Sequence, residues 1–342
     1  MTNLNTLLVN LLPEQRNAFY LACAHQVLAH YTLDALTPHF IQHNAGVVFR
    51  LDDRAGQPQA MLKIHENAGD SGNDTPEQIE AQLSCLAALA EESGIIVQSP
   101  MANRAGGTVS LVHFDGVDQP VACTVQRWIN GEHAKQWLPI HAHAIGTLLA
   151  TIHNHSERWS TADNDQLGRC GASEVREAFA TVCGTVEFGL IDAAQRTIIE
   201  ATGERCVAVI EKAGETANVW GVIHGDLHQG NVFFVDAKPA PIDFNLFRAH
   251  YLYDLGVSLY HASFDDLPIR QALVEGYAST RPLSSSAQAS LEAYTIMAAT
   301  LNLAFQAMLP NHRLSPINRR NMIYFAEQFC RNFVNKEPFL LG

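Results

Sequence analysis

The sequence predicts an α+β fold with two lobes, a small antiparallel β-sheet carrying one long helix and then a mainly helical lobe. Strand-like runs lie between residues 46 and 132, whereas helical patterns dominate from His133 to the C-terminus. Only a short group of strands, near residues 221–244, interrupts these helices. Because single cores stop growing at about 250–300 residues, we expect the 342-residue chain to divide into residues 1–128 and 129–342.

The elements of the first lobe follow from a change in hydrophobic period. Apolar residues recur at helical spacing over residues 14–31, and then alternation predicts strands over Gly46–Leu51 and Gln59–His65. Thr75 followed by Pro76 is typical of a helix N-cap and first helical residue, so a helix should run from Pro76 to Glu92. Two or three more strands should follow before residue 132.

The second lobe should begin with a helix whose apolar face includes Trp137, Ile140 and Ile145. No H-E-x-x-H pattern accompanies the histidines of this segment, so we expect solvent-facing or capping roles for them rather than metal binding. These histidines are His141, His143, His153 and His155. Further along, PLSSSAQAS at 282–290 is typical of a turn between helices with an N-cap.

The composition excludes several classes of protein. With 35 Asp and Glu against 22 Lys and Arg, the net charge of −13 argues against binding to nucleic acid or an anionic membrane, and would attract a cationic ligand. The N-terminal segment lacks a basic signal-peptide region, and no run approaches the roughly 20 apolar residues of a membrane span, so a cytoplasmic location is expected. The seven cysteines show no C-x-x-C spacing and are predicted to be free thiols in or near the core.

The stretch HGDLHQGN, residues 224–231, concentrates polar residues between two strand-like runs. Asp226 and Asn231 lie in it, and Asp243 follows in the segment PIDF. Two carboxylates and an amide that converge from neighbouring loops suit Mg²⁺, which prefers oxygen ligands. A carboxylate beside an incoming hydroxyl can also orient it and accept its proton, and phosphoryl transfer needs both functions.

These motifs resemble those of the aminoglycoside phosphotransferase and choline kinase group, the small-molecule relatives of the protein kinases. HGDLHQGN resembles the catalytic loop H-x-D-x-x-x-x-N, and PIDF resembles the counterpart of the kinase D-F-G. The resemblance implies a protein-kinase-like fold, with Asp226 as catalytic base and Asn231 and Asp243 as Mg²⁺ ligands. It also implies that His224 anchors the loop, and that Asp254 in YLYDLGVSL binds the loop backbone from behind.

The same resemblance makes residues 1–128 the ATP-binding lobe. Lys63, in AMLKIHE, would bind the ATP phosphates, and Glu80 would hold this lysine, with Gln82 as the alternative partner. A hairpin using the backbone near Asn44 and Gly46 would cover the phosphates. Backbone groups from Gln126 to Trp128 would hydrogen-bond adenine, although Trp128 is equally explained by packing.

The predicted function is therefore ATP- and Mg²⁺-dependent transfer of a phosphoryl group to a hydroxyl of a small molecule. Aminoglycosides, choline-like amino alcohols, homoserine and sugars all remain open as acceptors, and Asp265 and Asp266 could meet a cationic group or simply be surface carboxylates. Two rivals are a bacterial stress-type Ser/Thr protein kinase and a nucleotide-binding module without activity. Both a monomer and a homodimer are compatible with the sequence.

Overall fold

The computed structural model describes residues 13–43, 46–65, 74–159, 165–262, 266–309 and 315–341. The described residues up to Gly131, together with 165–167, form one compact unit, and the others from Glu132 onward form a second. Asn44 and Asp265, both named above, lie outside the described residues. Within these residues no helix is long and apolar enough to cross a membrane.

The first unit is built on a five-stranded antiparallel sheet with the strand order β1-β2-β3-β5-β4. Two helices accompany it. The elements are α1 Pro13–Leu28, β1 Thr37–His43, β2 Val47–Asp52, β3 Pro58–His65, α2 Pro76–Ser93, β4 Val109–Val112 and β5 Val121–Arg127. Its core joins buried residues of α1, such as Ala24 and Val27, to Phe49, Leu62 and Ile64 of the sheet.

Strand β1 was not predicted. Its sequence TPHFIQH exposes every residue except Pro38, including Phe40 and Ile41, so it lacks the alternation that marks a half-buried strand. In the described part of the chain it lies at the edge of the sheet and pairs only with β2.

The predicted helix after Thr75 is confirmed. The Thr75 hydroxyl accepts the Gln78 N–H at 3.3 Å, and the Gln78 side chain accepts the Thr75 N–H at 2.8 Å, which completes a capping box. The helix ends at Gly94, whose φ of 72° is left-handed and therefore suits glycine.

The second unit is mainly helical, with two small groups of strands among its described residues. Its helices are α3 Pro139–Arg158, α4 Ala172–Gly184, α5 Ala193–Ala213, α6 Tyr251–Ala262, α7 Leu267–Thr280, α8 Ser285–Met308, α9 Pro316–Tyr324 and α10 Arg331–Asn335, with a π-helical segment Phe325–Cys330 and 3₁₀ turns Thr185–Phe188 and Gln229–Asn231. Its strands are β6 Arg169–Cys170, β7 Trp220–Ile223, β8 Val232–Val235, β9 Lys238–Pro241 and β10 Phe247–His250. Strands β6, β10 and β7 form one sheet, and β8 and β9 form a hairpin.

Two sequence expectations in this unit were wrong. Ile140 is 74% exposed rather than part of an apolar face, because it stands in the first turn of α3. His153 and His155 are buried, not solvent-facing. By contrast, the expected capping role holds for His141, whose Nδ1 accepts the Leu138 N–H at 3.2 Å. All seven cysteines are free and buried, as predicted.

Helices α3 and α7 approach each other through two glycines. A methyl group on Gly146 would meet the backbone of Leu273 and Tyr277, and one on Gly276 would meet the His143 carbonyl. Backbone atoms cannot move aside as a flexible side chain can, so this contact requires glycine at both positions.

Replacing Gly146 by alanine should therefore lower the free energy of unfolding, measured in urea, by about 2–3 kcal/mol because the added methyl group overpacks the contact. Gly184→Ala is the matched control. Gly184 is the last residue of α4, and no atom lies within 4 Å of the position that the added methyl group would take. Alanine at this position should therefore leave the free energy of unfolding unchanged or raise it by about 0.5–1 kcal/mol. Equal effects of the two substitutions would show that helix packing does not depend on Gly146.

Candidate active site

The loop that carries the H-G-D-L-H-Q-G-N motif runs from the end of β7 to the start of β8. The hairpin β8-β9 then returns the chain to the same place, so that Ile242 N–H donates to the Asn231 carbonyl at 2.9 Å and Asn245 N–H to the His224 carbonyl at 3.0 Å. Asp243 is thereby held beside the loop, in a left-handed conformation with a φ of 55° that aspartate tolerates better than most residues. The structure thus brings His224, Asp226, Asn231 and Asp243 together.

Asp226 is fixed by Asn231. The Asn231 side-chain Nδ2 donates to the Asp226 carbonyl oxygen at 2.9 Å and to Asp226 Oδ2 at 3.1 Å. Burial, together with the negative charge of Asp243, raises the pKa of Asp226 to about 6, while the Asn231 hydrogen bond opposes this shift. The amide nitrogen is used, which leaves Asn231 Oδ1 as the atom that can contact a cation.

His224 is fully buried behind the loop. Its Nδ1 accepts the Asp226 N–H at 3.3 Å, so the neutral ring carries its proton on Nε2. Burial lowers the pKa of His224 to about 4, against the opposing charges of Asp254 and Asp243. The ring also stacks on Phe244 at 4.2 Å between centroids. His224 therefore acts as a neutral internal support for the loop.

Gly225 takes a conformation that only glycine adopts readily, with a φ of 80°. A side chain here would meet the Asn245 carbonyl, and its Cβ would lie 2.6 Å from Phe247 Cε1. The turn into Asp226 therefore depends on a glycine.

Asp254 binds the loop backbone through both carboxylate oxygens. Its Oδ2 accepts the His224 N–H and its Oδ1 accepts the Gly225 N–H, each at 2.9 Å. Oδ2 also lies 3.0 Å from His153 Nε2, and His153 Nδ1 lies 2.9 Å from the Tyr277 hydroxyl. Burial acts to raise the pKa of Asp254, but the hydrogen bonds that it accepts from the His153 ring and the His224 N–H outweigh it, and the pKa is lowered.

The sequence did not identify His153 as a partner of Asp254. Its position four residues after Leu149, which is fully buried, was the available signal that it faces the interior of α3. Burial lowers the pKa of His153, although the Asp254 carboxylate opposes this shift. The neutral ring links Tyr277 on α7 to the carboxylate that holds the loop.

One further histidine lies beside Asp226, and a second lies against the first. His228 accepts the Gly230 N–H on Nδ1 at 3.0 Å, and its Nε2 lies 3.7 Å from Asp226 Oδ2. The ring of His261, at the end of α6, lies 4.6 Å from that of His228. Burial lowers the pKa of His261 to about 4. The sequence placed His228 in the loop, and the family resemblance made residues 261–266 a wall of the acceptor site, but neither identified the contact between the rings of His261 and His228.

In the first unit, Gly46 and Lys63 are neighbours. A Cβ on Gly46 would lie 2.7 Å from the Ile64 carbonyl oxygen and 3.5 Å from Lys63 Cε, so the backbone at Gly46 lies directly over the lysine stem. Among the described residues no carboxylate lies within 4.0 Å of Lys63 Nζ, Glu80 is exposed, and Gln82 donates to Asp74 at 2.8 Å. The pairing of Lys63 with Glu80 or Gln82 stays a prediction.

The segment predicted to bind adenine already uses two of its N–H groups. Arg127 N–H donates to the Ser99 carbonyl at 2.9 Å, and Trp128 N–H donates to the Gln59 carbonyl at 3.1 Å. The Gln126 side chain donates to the Gln98 carbonyl at 3.0 Å. A base that binds this segment must therefore hydrogen-bond to backbone groups other than these two N–H groups.

The loop of the second unit fits a hard cation by the chemistry of its donors. No group of three or more His, Cys, Asp or Glu side chains in the described ranges is arranged to hold a metal ion. The loop instead offers the Asn231 amide oxygen and the exposed carboxylate of Asp243. Oxygen donors from a few residues suit Mg²⁺, which usually completes its shell with water and phosphate oxygens.

The fold and this loop define the class of protein. A solved structure of a microcompartment-associated aminopropanol kinase matches with a TM-score of 0.75 and 21% identity, over 94% of this chain and 99% of that one. An amicoumacin kinase, solved with AMP-PNP, Ca²⁺ and its ligand, matches with a TM-score of 0.71 and 17% identity, over 96% and 97%. At these identities the likeness shows the fold, which is the predicted α+β protein-kinase-like one.

A sequence model of the phosphotransferase enzyme family matches residues 41–332, so the chain belongs to that family. Homoserine kinase of Phenylobacterium zucineum is 27% identical over 210 residues, which cover 58% of this chain and 59% of that protein. Homoserine kinase of Methylobacterium radiotolerans is 29% identical over 208 residues, with 58% and 59% coverage. The chain thus spans about 59% of the length of these curated relatives.

Asp254→Asn should lower the free energy of unfolding by roughly 3 kcal/mol, because the amide cannot accept from every donor that now faces the carboxylate. Hydrogen exchange at the His224 and Gly225 amides should also become faster, since both donate to Asp254. Asp34→Asn is the control, since this carboxylate forms an exposed ion pair with Arg104 and its loss should cost about 0–1 kcal/mol. Unchanged exchange at the two amides would contradict the role of Asp254.

A second prediction concerns His250, which is buried at the end of β10. Its Nδ1 accepts the Leu252 N–H at 3.1 Å, and burial, reinforced by the positive charge of Arg281, lowers its pKa to about 4. Below about pH 6.5 the unfolded chain binds a proton that the folded chain refuses, so acidification should destabilise the fold.

The substitution His250→Asn keeps an acceptor for Leu252 but removes the titrating ring. When the pH falls from about 6.5 to 5, the variant should lose roughly 2 kcal/mol less of its unfolding free energy than the unsubstituted protein does. Urea unfolding at both pH values measures this difference. An identical pH dependence in the two proteins would show that His250 does not stay neutral in the folded state.

Proposed function

We propose that this protein is a kinase that transfers the γ-phosphoryl group of ATP, with Mg²⁺, to a hydroxyl group of a small molecule. The observation that carries the proposal is the Asp226 carboxylate, held by the Asn231 amide next to Asp243 on a loop whose backbone Asp254 fixes. Phosphoryl transfer needs this combination because it depends on positioning and charge rather than on covalent chemistry by the protein.

Asp226 is proposed as the catalytic base. The Asn231 amide occupies its Oδ2, which leaves Oδ1 as the oxygen that can accept a hydrogen bond from the acceptor hydroxyl. The proton then passes to this carboxylate as the hydroxyl oxygen bonds to the γ-phosphorus and ADP leaves. Because its partners hold Asp226 before any substrate binds, little reorganisation is needed at the moment of transfer.

Asn231 and Asp243 are proposed to hold Mg²⁺ through oxygen atoms. When bound, Mg²⁺ would neutralise charge on the phosphate oxygens. In the first unit, Lys63 would contribute a positive charge to the phosphates, and the backbone at Gly46, which lies against the lysine stem, would approach them closely.

The proposed acceptor is an amino alcohol of the homoserine or aminopropanol type. The relatives named homoserine kinase and aminopropanol kinase support this choice, and the net charge of −13 favours a substrate that carries an ammonium group. The ring of His228 lies beside Asp226, with the ring of His261 against it, and both would contact the acceptor.

The test measures ADP formation with a panel of acceptors: homoserine, aminopropanol, choline, aminoglycosides and sugars. We expect turnover with an amino alcohol, and Asp226→Asn should reduce kcat by about a hundredfold or more, because general-base and positioning contributions are lost together. Asp236→Asn is the matched control. It makes the same change at an exposed turn of the β8-β9 hairpin and should leave kcat unaltered.

Each other outcome has a definite meaning. Full turnover by Asp226→Asn would refute its role as base. Phosphate on a protein, with none on the panel, would indicate a protein kinase, and ATP binding without Mg²⁺-dependent turnover on any acceptor would indicate a binding module.

A further inference from the structure

Helix α6 contacts the loop of residues 224–231 along one face. Asp254, Ser258 and His261 stand at positions i, i+4 and i+7, which share a face of an α-helix. Asp254 accepts the N–H groups at the start of the loop, and the Ser258 hydroxyl donates to the Leu227 carbonyl at 2.7 Å. His261, in the last turn, lies against His228 with 4.6 Å between ring centroids. Helix α6 therefore fixes the position of the His261 ring relative to the loop.

The ring nitrogens of His261 are accessible to a ligand. His261 is half-buried, and its ring packs on those of His228 and of Tyr260, the latter at 5.0 Å between centroids. Among the described residues neither ring nitrogen has a hydrogen-bond partner, and neither belongs to the enclosed polar atoms that lack one. A ligand can therefore reach these nitrogens from solvent.

Of the two stacked imidazole rings, His261 is the one with an available lone pair. His228 Nδ1 already accepts the Gly230 N–H at 3.0 Å, so its neutral ring carries the proton on Nε2, 3.7 Å from Asp226 Oδ2. In His261 one nitrogen can accept a hydrogen bond whichever tautomer the ring takes. Burial lowers the pKa of both rings, that of His261 to about 4, so the lone pair is not protonated at neutral pH.

The charge near this lone pair is negative. The carboxylates of Asp226 and Asp243 lie close enough for the charge of Asp243 to raise the pKa of Asp226. These charges repel an anion and attract a cation. An ammonium group combines a positive charge with N–H donors, and a charge-assisted hydrogen bond is stronger than a neutral one. A quaternary ammonium group has the charge but no N–H to donate.

We propose that His261 is a specificity-determining residue, which accepts a hydrogen bond from the ammonium group of the acceptor while Asp226 binds the acceptor hydroxyl. The single ring of His228 separates His261 from Asp226. The acceptor is therefore a short amino alcohol with a primary or secondary ammonium group, rather than a quaternary one such as choline. This choice of acceptor rests on the proposed kinase function, whereas binding of the ammonium group does not require turnover.

The experiment compares three probes that share a hydroxyl on the second carbon of a three-carbon chain. The first, 1-aminopropan-2-ol, has a primary ammonium group, its N,N,N-trimethyl derivative keeps the charge without an N–H, and lactate has a carboxylate instead. Calorimetry on the full chain, alone and with ADP and Mg²⁺, should give a Kd in roughly the millimolar range for 1-aminopropan-2-ol, as suits about five non-hydrogen atoms. The other two probes should bind at least about tenfold more weakly.

Three variants test the role of the ring nitrogen. His261→Phe keeps a ring against His228 but removes both nitrogens, so 1-aminopropan-2-ol should bind about tenfold more weakly and lose its advantage over the trimethyl derivative. His261→Gln restores an acceptor oxygen and should recover part of that advantage. His143→Phe is the matched control, since it makes the same change at an exposed histidine of α3 and should leave all three affinities unchanged.

Turnover gives a second readout. With 1-aminopropan-2-ol as acceptor, His261→Phe should raise KM about tenfold and change kcat by less than about threefold, because the ammonium group is bound equally in the ground state and the transition state. A purely structural role of His261 would instead lower kcat for every acceptor and would not distinguish the primary from the quaternary amine.

The proposal is overturned if 1-aminopropan-2-ol does not bind at tens of millimolar, or if the trimethyl derivative or lactate binds as tightly. It is also overturned if His261→Phe keeps the preference of the unsubstituted protein. If the expected binding pattern is found but no acceptor is phosphorylated, the proposed kinase function is refuted and the role of His261 in binding the ammonium group is supported. The two failures are thus distinguishable.

Discussion

The second unit depends on one buried carboxylate. Asp254 has no exposure to solvent, and it is stable as an anion because it accepts the N–H groups of His224 and Gly225 and a bond from His153. These bonds also fix the direction in which the loop leaves β7, and hence where Asp226 lies. A desolvated charge of this kind tolerates little movement, because any displacement leaves it without partners. The position of the loop is thus set from the interior.

The packing around Asp254 supports that arrangement from two sides. On one side, His153 is presented by α3, and α3 contacts α7 closely because glycines stand at 146 and 276. On the other side, the β8-β9 hairpin returns Asp243 to the loop through backbone hydrogen bonds. The close packing of α3 on α7 and the backbone hydrogen bonds of the β8-β9 hairpin therefore hold the same few residues in place. This explains how two left-handed residues, Gly225 in the loop and Asp243 beside it, keep a defined conformation.

Much of this could be predicted from the sequence. The Thr75-Pro76 helix start and the helical character after His133 rest on local patterns, and the structure has them. The motif residues from His224 to Asn231 come together because most of their contacts lie within a short stretch of chain. What the sequence missed was non-local. His153 and Tyr277 contribute across 101 to 124 residues of chain, and His261 lies more than 30 positions beyond His228. Helical spacing indicates that His153 faces the interior of α3, but no local pattern identifies the partners of these three residues. Strand β1 was missed for a different reason, since an exposed edge strand has no buried face to produce alternation.

The glycine at position 225 has a consequence for control by covalent modification. In protein kinases an arginine stands at this place in the H-R-D loop, and phosphorylation of an activation loop acts by creating ion pairs with arginine. Here the φ of 80° and the contact with Phe247 exclude any long side chain. The loop therefore has no cation at that position through which a phosphate on the same chain could order it. The conformation of this turn is therefore built in by folding, through the Gly225 backbone and the Asp254 carboxylate that binds it.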